Sequence, residues 1–173
     1  MEVHNNLTDG PPPLQTHPRF IHHLGLFYNA WTAVDLTVDL AIGIFLKIPN
    51  DQALILTSGM QFGPKIRLLY EVVSTGDHPN KGAILGPLNK LRNDAKRNVF
   101  AHAYIVSTPT KVTFVERRPG GPFKVLLHTY TLEEWVEHVV KFAQASDELW
   151  SALGQPAGEY GAFVQAALNA AKS

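Results

Sequence analysis

The run Asn89-Lys90-Leu91-Arg92-Asn93-Asp94-Ala95-Lys96-Arg97-Asn98-Val99-Phe100-Ala101-His102 is followed, one residue on, by Tyr104-Ile105-Val106. The first part is the most polar helical segment of the chain. The second is β-branched, and Lys111–Glu116 continues the strand-like alternation. A helical pattern gives way to a strand pattern here, and that switch sets the fold class.

Upstream, everything reads as helix. Pro18 suits a first helical turn, and the helix runs to about Lys47, where Pro49 stops it. Its polar stripe is Asn29, Thr32, Asp35 and Asp39. Most other positions are apolar, which predicts packing on several sides. The aromatics Phe20, Phe27, Tyr28, Trp31 and Phe45 have core spacing. Asn50 or Asp51 can cap a short helix to about Ser58. Gly59 and Gly63-Pro64 interrupt it, and another helix follows to Val73 or Ser74. Asn80 then caps a long helix from Lys81 to about Ala103, with Gly82, Gly86 and Pro87 loosening its first turns.

Downstream, the turn Arg117-Arg118-Pro119-Gly120-Gly121-Pro122 joins Lys111–Glu116 to Phe123–Tyr130, a β-hairpin. A lone hairpin is marginal and needs helices or a partner beneath it. Thr131-Leu132-Glu133-Glu134 is a capping box opening a helix to about Leu153, ended by Gly154 and Pro156. A short apolar helix over 157–172 closes the chain. The expected class is all-α, mainly helical: a bundle with a β-hairpin insertion at about 104–130, before the penultimate helix. Residues 1–15, ending in Pro11-Pro12-Pro13, read as a flexible tail, and residues 16–173 as one domain.

Composition narrows the function. The 173 residues suffice for a real core, and 45% of them are hydrophobic, so the chain is not a disordered one. Acidic and basic residues balance at 15 each. The balance hides a segregation: residues 81–118 hold eight basic side chains against two acidic ones. A locally positive face on a neutral protein attracts an anionic ligand without binding every polyanion. With no cysteine, disulfides, thiolate nucleophiles and Cys-ligated metals are excluded. Leu24–Ile48 is apolar enough to raise a membrane span, but Asp35 and Asp39 would be costly at a bilayer centre. A core helix, no membrane partner and a cytoplasmic location are the expectation.

The candidate chemistry lies at the switch. Arg97 and His102 are five apart, which on a helix separates them by about 140° and roughly 7.5 Å of rise. Asn98 and His102 are four apart and share a stripe. Asn98 can hold the imidazole in one tautomer or bind a substrate hydroxyl. These groups suit metal-free RNA cleavage. His takes the proton of a ribose 2′-hydroxyl, which attacks the adjacent phosphorus, while Arg forks onto the phosphate oxygens. Lys90 and Lys96 are candidate phosphate contacts, with Arg117 and Arg118 behind them. Tyr104 is the best placed ring for stacking a base. The same residues also read as a packed helix histidine and an interface ion-pair partner.

Arg97-Asn98-x-x-x-His102, late on a helix of an all-α bundle, resembles the motif of the HEPN superfamily, Arg-x4–6-His with a polar residue after the Arg. The resemblance covers about 18–103 and 131–153. It implies a homodimer whose motif helices face each other across a cleft. It also implies ribonucleases of toxin or defence type, alongside members that do not cut RNA. The partners it implies are single-stranded RNA, a second copy and an antitoxin or other protein. The catalytic residues would be Arg97, Asn98 and His102, and substrate would be held by Lys90, Lys96 and Tyr104. The hairpin departs from leaner members.

Asp35 and Asp39 share one face of a largely apolar helix. They read as a structural ion pair, or as groups orienting Arg97 or Arg67. Arg67 and Glu71 read as an intrahelical pair. The histidines at 4, 17, 22 and 23 lack a helix-face ligand pair, and Glu137-His138 is not Glu-x-x-His, so no metal and no cofactor are expected.

Overall fold

The computed structural model describes residues 17–94, 96–118 and 124–155. It is mainly helical, with one small antiparallel sheet. The elements are α1 (Pro18–Leu46), α2 (Asn50–Thr57), α3 (Phe62–Thr75), α4 (Lys81–Asp94), α5 (Arg97–His102), β1 (Tyr104–Ser107), β2 (Lys111–Arg118), β3 (Lys124–Thr131) and α6 (Leu132–Ala152). The tail 1–15 and the expected helix 157–172 lie outside the described residues.

Two compact units divide the chain: residues 1–25 with 97–136, and residues 26–96 with 137–173. The first holds the sheet. Its strands run in the order β1-β2-β3, each antiparallel to its neighbour. The hairpin reading is thereby extended: Tyr104–Ser107 pairs with β2 as a strand of its own, Tyr104 opposite Val115. Three strands with an apolar face can hold a structure that two cannot.

Alternation gives the sheet two unlike faces. Phe114 and Val112 are buried on one, where Phe20, Phe100, Tyr130 and Trp135 close around Phe114. The Phe100 and Trp135 rings meet edge to face at 4.6 Å. A hydrogen bond donated by the His17 backbone amide to the Ser107 side-chain hydroxyl ties the start of α1 to β1 on that side. The opposite face carries Tyr104, Val115 and Leu127 in one row across the strands.

The second unit is helical. Trp31 of α1 stacks parallel on Phe142 of α6 at 5.1 Å, and Phe62 meets Trp31 edge-on at 4.3 Å. Tyr28, expected in the core, is half exposed. The α1 C-terminus has the bonds of a Schellman cap: Ile48 N–H to Gly43 C=O and Lys47 N–H to Ile44 C=O. Lys47 takes the left-handed position at φ 55°. Gly154, at φ 71°, ends α6 the same way. Gly43 lets α2 approach closely, since a Cβ there would sit 2.7 Å from that of Ala53. Helix α1 is long and apolar enough to cross a membrane, yet half of its most apolar window is buried in the protein.

The long helix expected from Lys81 to Ala103 is two helices, and the break before Arg97 has a physical cause. Leu91 and Phe100 are both fully buried, but nine positions on a straight helix put them about 180° apart. One helix could not bury both on one face. The residues between them are mostly polar, and Asn and Asp are weak helix formers. The chain therefore turns at Lys96, which adopts φ 34°, and each apolar residue packs in its own unit.

Candidate functional site

The motif residues bracket α5, a helix of six residues: Arg97 opens it and His102 ends it. The side chains of Arg97 and Asn98 lie outside the described residues. The His102 side chain is exposed to solvent rather than enclosed among aliphatic groups. Tyr104, two residues on and the first residue of β1, is 56% exposed. Phe100 anchors the helix from beneath, so the motif end of α5 stands at the surface of a packed aromatic cluster.

Lys90 and Lys96 belong to the other unit, where they line one cavity of about 490 Å³. Its floor is Leu91, Phe142 and Ala145, all buried, and its rim includes His138 and Lys141. The α6 contributors follow helical spacing, 138, 141, 142, 144, 145 and 148, so one face of α6 forms one wall. Lys90 bonds Glu148 at 2.8 Å, and Lys141 bonds Glu137 at 2.7 Å. Both pairs are well exposed and screened by solvent, and the Lys90–Glu148 pair contributes about 0–1 kcal/mol. An anion in the cavity could exchange with the Glu148 carboxylate at little cost. The six candidates thus fall into two sets, Arg97, Asn98, His102 and Tyr104 in one unit and Lys90 and Lys96 in the other.

Asp35 and Asp39 form a structural cluster whose cation, among the described residues, is Lys65 rather than Arg67; the Arg97 side chain lies outside the described residues. Lys65 of α3 reaches Asp35 at 3.1 Å and Asp39 at 2.9 Å. Lys65 and Asp39 are both buried. Burial pushes the Asp39 carboxyl above the ordinary aspartate range, while bonds from Lys65 and Thr57 pull it back. Two carboxylates on one ammonium leave a net negative charge in the core, which suits that direction. Among the described residues, Arg67 and Glu71 do not form the intrahelical pair; instead Arg92 lies over the Tyr70 ring at 5.6 Å.

Lys65 was the residue missed by sequence reasoning. Its signal was present: Lys65, Leu69 and Val73 lie four apart, so the lysine continues an apolar stripe. A cation on a core face needs an anion opposite, and the two aspartates of α1 were the ones available. The second missed pair is His128 with Glu116, 2.9 Å apart across β2 and β3. No protein-family model matches the chain, and neither a curated protein nor a solved structure shows significant similarity to it.

Proposed function

We propose that this chain is a HEPN-like, metal-independent endoribonuclease acting on single-stranded RNA as a homodimer. The observation that carries the reading is the exposed imidazole of His102 at the end of the helix that Arg97 opens. The mainly helical fold is compatible with the family. The six-residue motif helix and the three-stranded sheet are this chain's departures from it.

In the proposed reaction, His102 accepts the proton of a ribose 2′-hydroxyl. The oxygen attacks the adjacent phosphorus, and the bond from phosphorus to the 5′-oxygen breaks. Arg97 holds the phosphate oxygens through the transition state. The departing 5′-oxygen takes a proton from His102 of a second copy. The products are a 2′,3′-cyclic phosphate and a 5′-hydroxyl end. Asn98, one turn from His102, fixes the imidazole tautomer or binds the ribose hydroxyl. A toxin or defence role, a cytoplasmic location and an antitoxin-like protein partner come with the family reading.

The test is cleavage of single-stranded RNA in EDTA, with the product ends identified. His102→Ala and Arg97→Ala should each lower the rate by roughly 10²-fold or more, since a positioned acid–base group supplies about 10²–10⁴-fold. Equal cutting by the parent and both variants would mark a contaminating nuclease and remove the proposal.

A second reading has an observation of its own. Val125, Leu126 and Leu127 are consecutive exposed apolar residues on β3, an edge strand. Such a stretch favours a non-catalytic HEPN-like dimeric module that binds RNA or protein. RNA binding without cutting would select it.

A further inference from the structure

We infer that the cavity between α4 and α6 binds a small amphiphilic anion, an apolar body bearing a carboxylate, phosphate or sulfonate. Its head lies on Lys90 and Lys96, and its body lies on Leu91, Phe142 and Ala145. The inference stands apart from the nuclease reading. The whole lining lies in the second unit, and no residue of α5 takes part.

Size and floor come first. The cavity holds about 490 Å³, within the range of small-molecule sites. Leu91 comes from α4, and Phe142 and Ala145 come from one face of α6; all three are buried. Trp31 backs the Phe142 ring, stacked parallel on it at 5.1 Å, so the floor is held in place. A preformed apolar floor lets a ligand bury its body with little reorganisation of the protein.

Charge then selects the ligand. Lys90, Lys96 and Lys141 line the cavity against one carboxylate, that of Glu148. The partner of Lys141, Glu137, lies outside the lining. Even with Glu137 included, the cations outnumber the carboxylates three to two. All three lysines are exposed, whereas the floor is buried. A lysine stem can cover a wall while its ammonium stays in water at the mouth. The cavity is therefore apolar at its base and cationic at its opening. An inorganic anion would meet the ammonium groups and leave the floor unused. A neutral hydrocarbon would do the reverse, and an organic cation would be repelled. An anion with an apolar body satisfies both ends.

Two of the cations are placed to receive the head. Lys90 of α4 bonds Glu148 of α6 at 2.8 Å, with about half of each side chain in water. Such a pair is weak, and a ligand carboxylate can take the place of the protein's own. Lys96 sits at the left-handed turn after α4, at φ 34°. Strained backbone of this kind clusters where ligands are held. Among the described residues, no carboxylate lies within ion-pair distance of Lys96.

The test is fluorescence titration of the full chain with anilinonaphthalenesulfonate, an apolar ring system bearing one sulfonate. Binding should saturate, and octanoate or naphthoate should displace the probe. Displacement by octanoate marks an acyl chain as the body, and displacement by naphthoate marks a flat ring; either supports the inference. Octylammonium and octanol at the same concentration should displace far less. Lys90→Ala and Lys96→Ala should each weaken probe binding roughly 2- to 5-fold, the range of an exposed ion pair. Glu148→Gln removes the competing carboxylate and should tighten binding by roughly the same factor. These three positions are on the surface, and circular dichroism verifies the fold. The absence of saturable binding by the parent chain overturns the inference. Unchanged affinity in both lysine variants overturns it as well, as does displacement by octylammonium equal to that by octanoate. Inorganic phosphate that displaces the probe as well as octanoate does would leave only a surface anion spot and also overturn it. Displacement by oligouridylate at lower concentration than octanoate would assign the lysines to RNA and reject the small ligand. Loss of RNA cleavage in His102→Ala with probe binding intact bears on the nuclease alone, so the two readings fail separately.

Discussion

Replacing Lys65 with Met tests the most consequential polar cluster of the fold. The side chain keeps its length and loses its charge. Asp39, buried as deeply as the lysine, then keeps a carboxylate with no cation against it. Removing one partner of a buried pair costs about 3–5 kcal/mol. Asp35 still has 35% of its side chain in water, so its share of the loss is screened. That places the expected destabilisation near the lower end, about 3 kcal/mol. In a domain of this size it lowers the melting temperature by roughly 6–12 °C.

The cost should depend on pH, with a sign fixed by Asp39. Burial, the largest influence, raises this carboxyl, against the pull of Lys65 and Thr57. A carboxyl with a folded pKa above its unfolded one favours the fold while protonated. That contribution fades as the pH climbs from about 4 through the raised value. Deleting Lys65 removes the main restraint and deepens the fade. Melts followed by circular dichroism should show Lys65→Met far below the parent at neutral pH and the gap narrowing in acid. The triple variant Asp35→Asn/Asp39→Asn/Lys65→Met should come back to within about 1 kcal/mol of the parent. A Lys65→Met melt indistinguishable from the parent at every pH would mean that water reaches the cluster, and the argument from burial would be lost.

Two further substitutions probe how the helices are held. Gly43→Ala puts a methyl group 2.7 Å from the Ala53 Cβ, so α2 must shift, at about 1–3 kcal/mol in urea unfolding; adding Ala53→Gly should recover most of that, and no recovery would place the strain elsewhere. Thr131→Ala removes the hydroxyl that accepts from the Glu134 N–H, half of the capping box at α6, and should cost about 1 kcal/mol; a change below a few tenths of that would show that Glu134 alone holds the cap.

What the sequence made legible follows the range of the forces involved. Local signals were read well. Pro18, Pro49, the capping box and Gly154 all act within a few residues, and the bounds of α1 and α6 follow them closely. The break at Lys96 was not read, because its cause is not local. Nothing in Asp94-Ala95-Lys96 forbids a helix; Leu91 and Phe100 must reach different cores, and that demand comes from contacts distant in sequence. The strand character of Tyr104-Ile105-Val106 is legible in the sequence, but its standing as a third strand separate from β2 is not, for a related reason. Tyr104–Ser107 is four residues long, and only pairing with β2 makes it a strand. The site followed the same division: the motif was visible as spacing, whereas Lys65 and the α6 wall of the cavity emerge only when helices meet.

The positive charge clustered between 81 and 118 in the sequence is not uniform in its surroundings. Lys81 turns inward to the carbonyls of Ser74 and Gly76. Arg92 covers Tyr70, and Lys90 is held by Glu148. Lys96 faces the cavity, and Lys111 and Arg117 stand on the open sheet. The six of these eight basic side chains that the structure describes therefore meet several different local environments. What distinguishes a lysine that can take a phosphate is how strongly its present partner holds it. The exposed pair of Lys90 and Glu148 contributes less than about 1 kcal/mol and can exchange its carboxylate for another anion. Lys65, enclosed between two aspartates, cannot leave without stranding a buried charge. Equal formal charges thus carry opposite roles: the buried lysine fixes the fold, and the exposed ones remain available to a ligand.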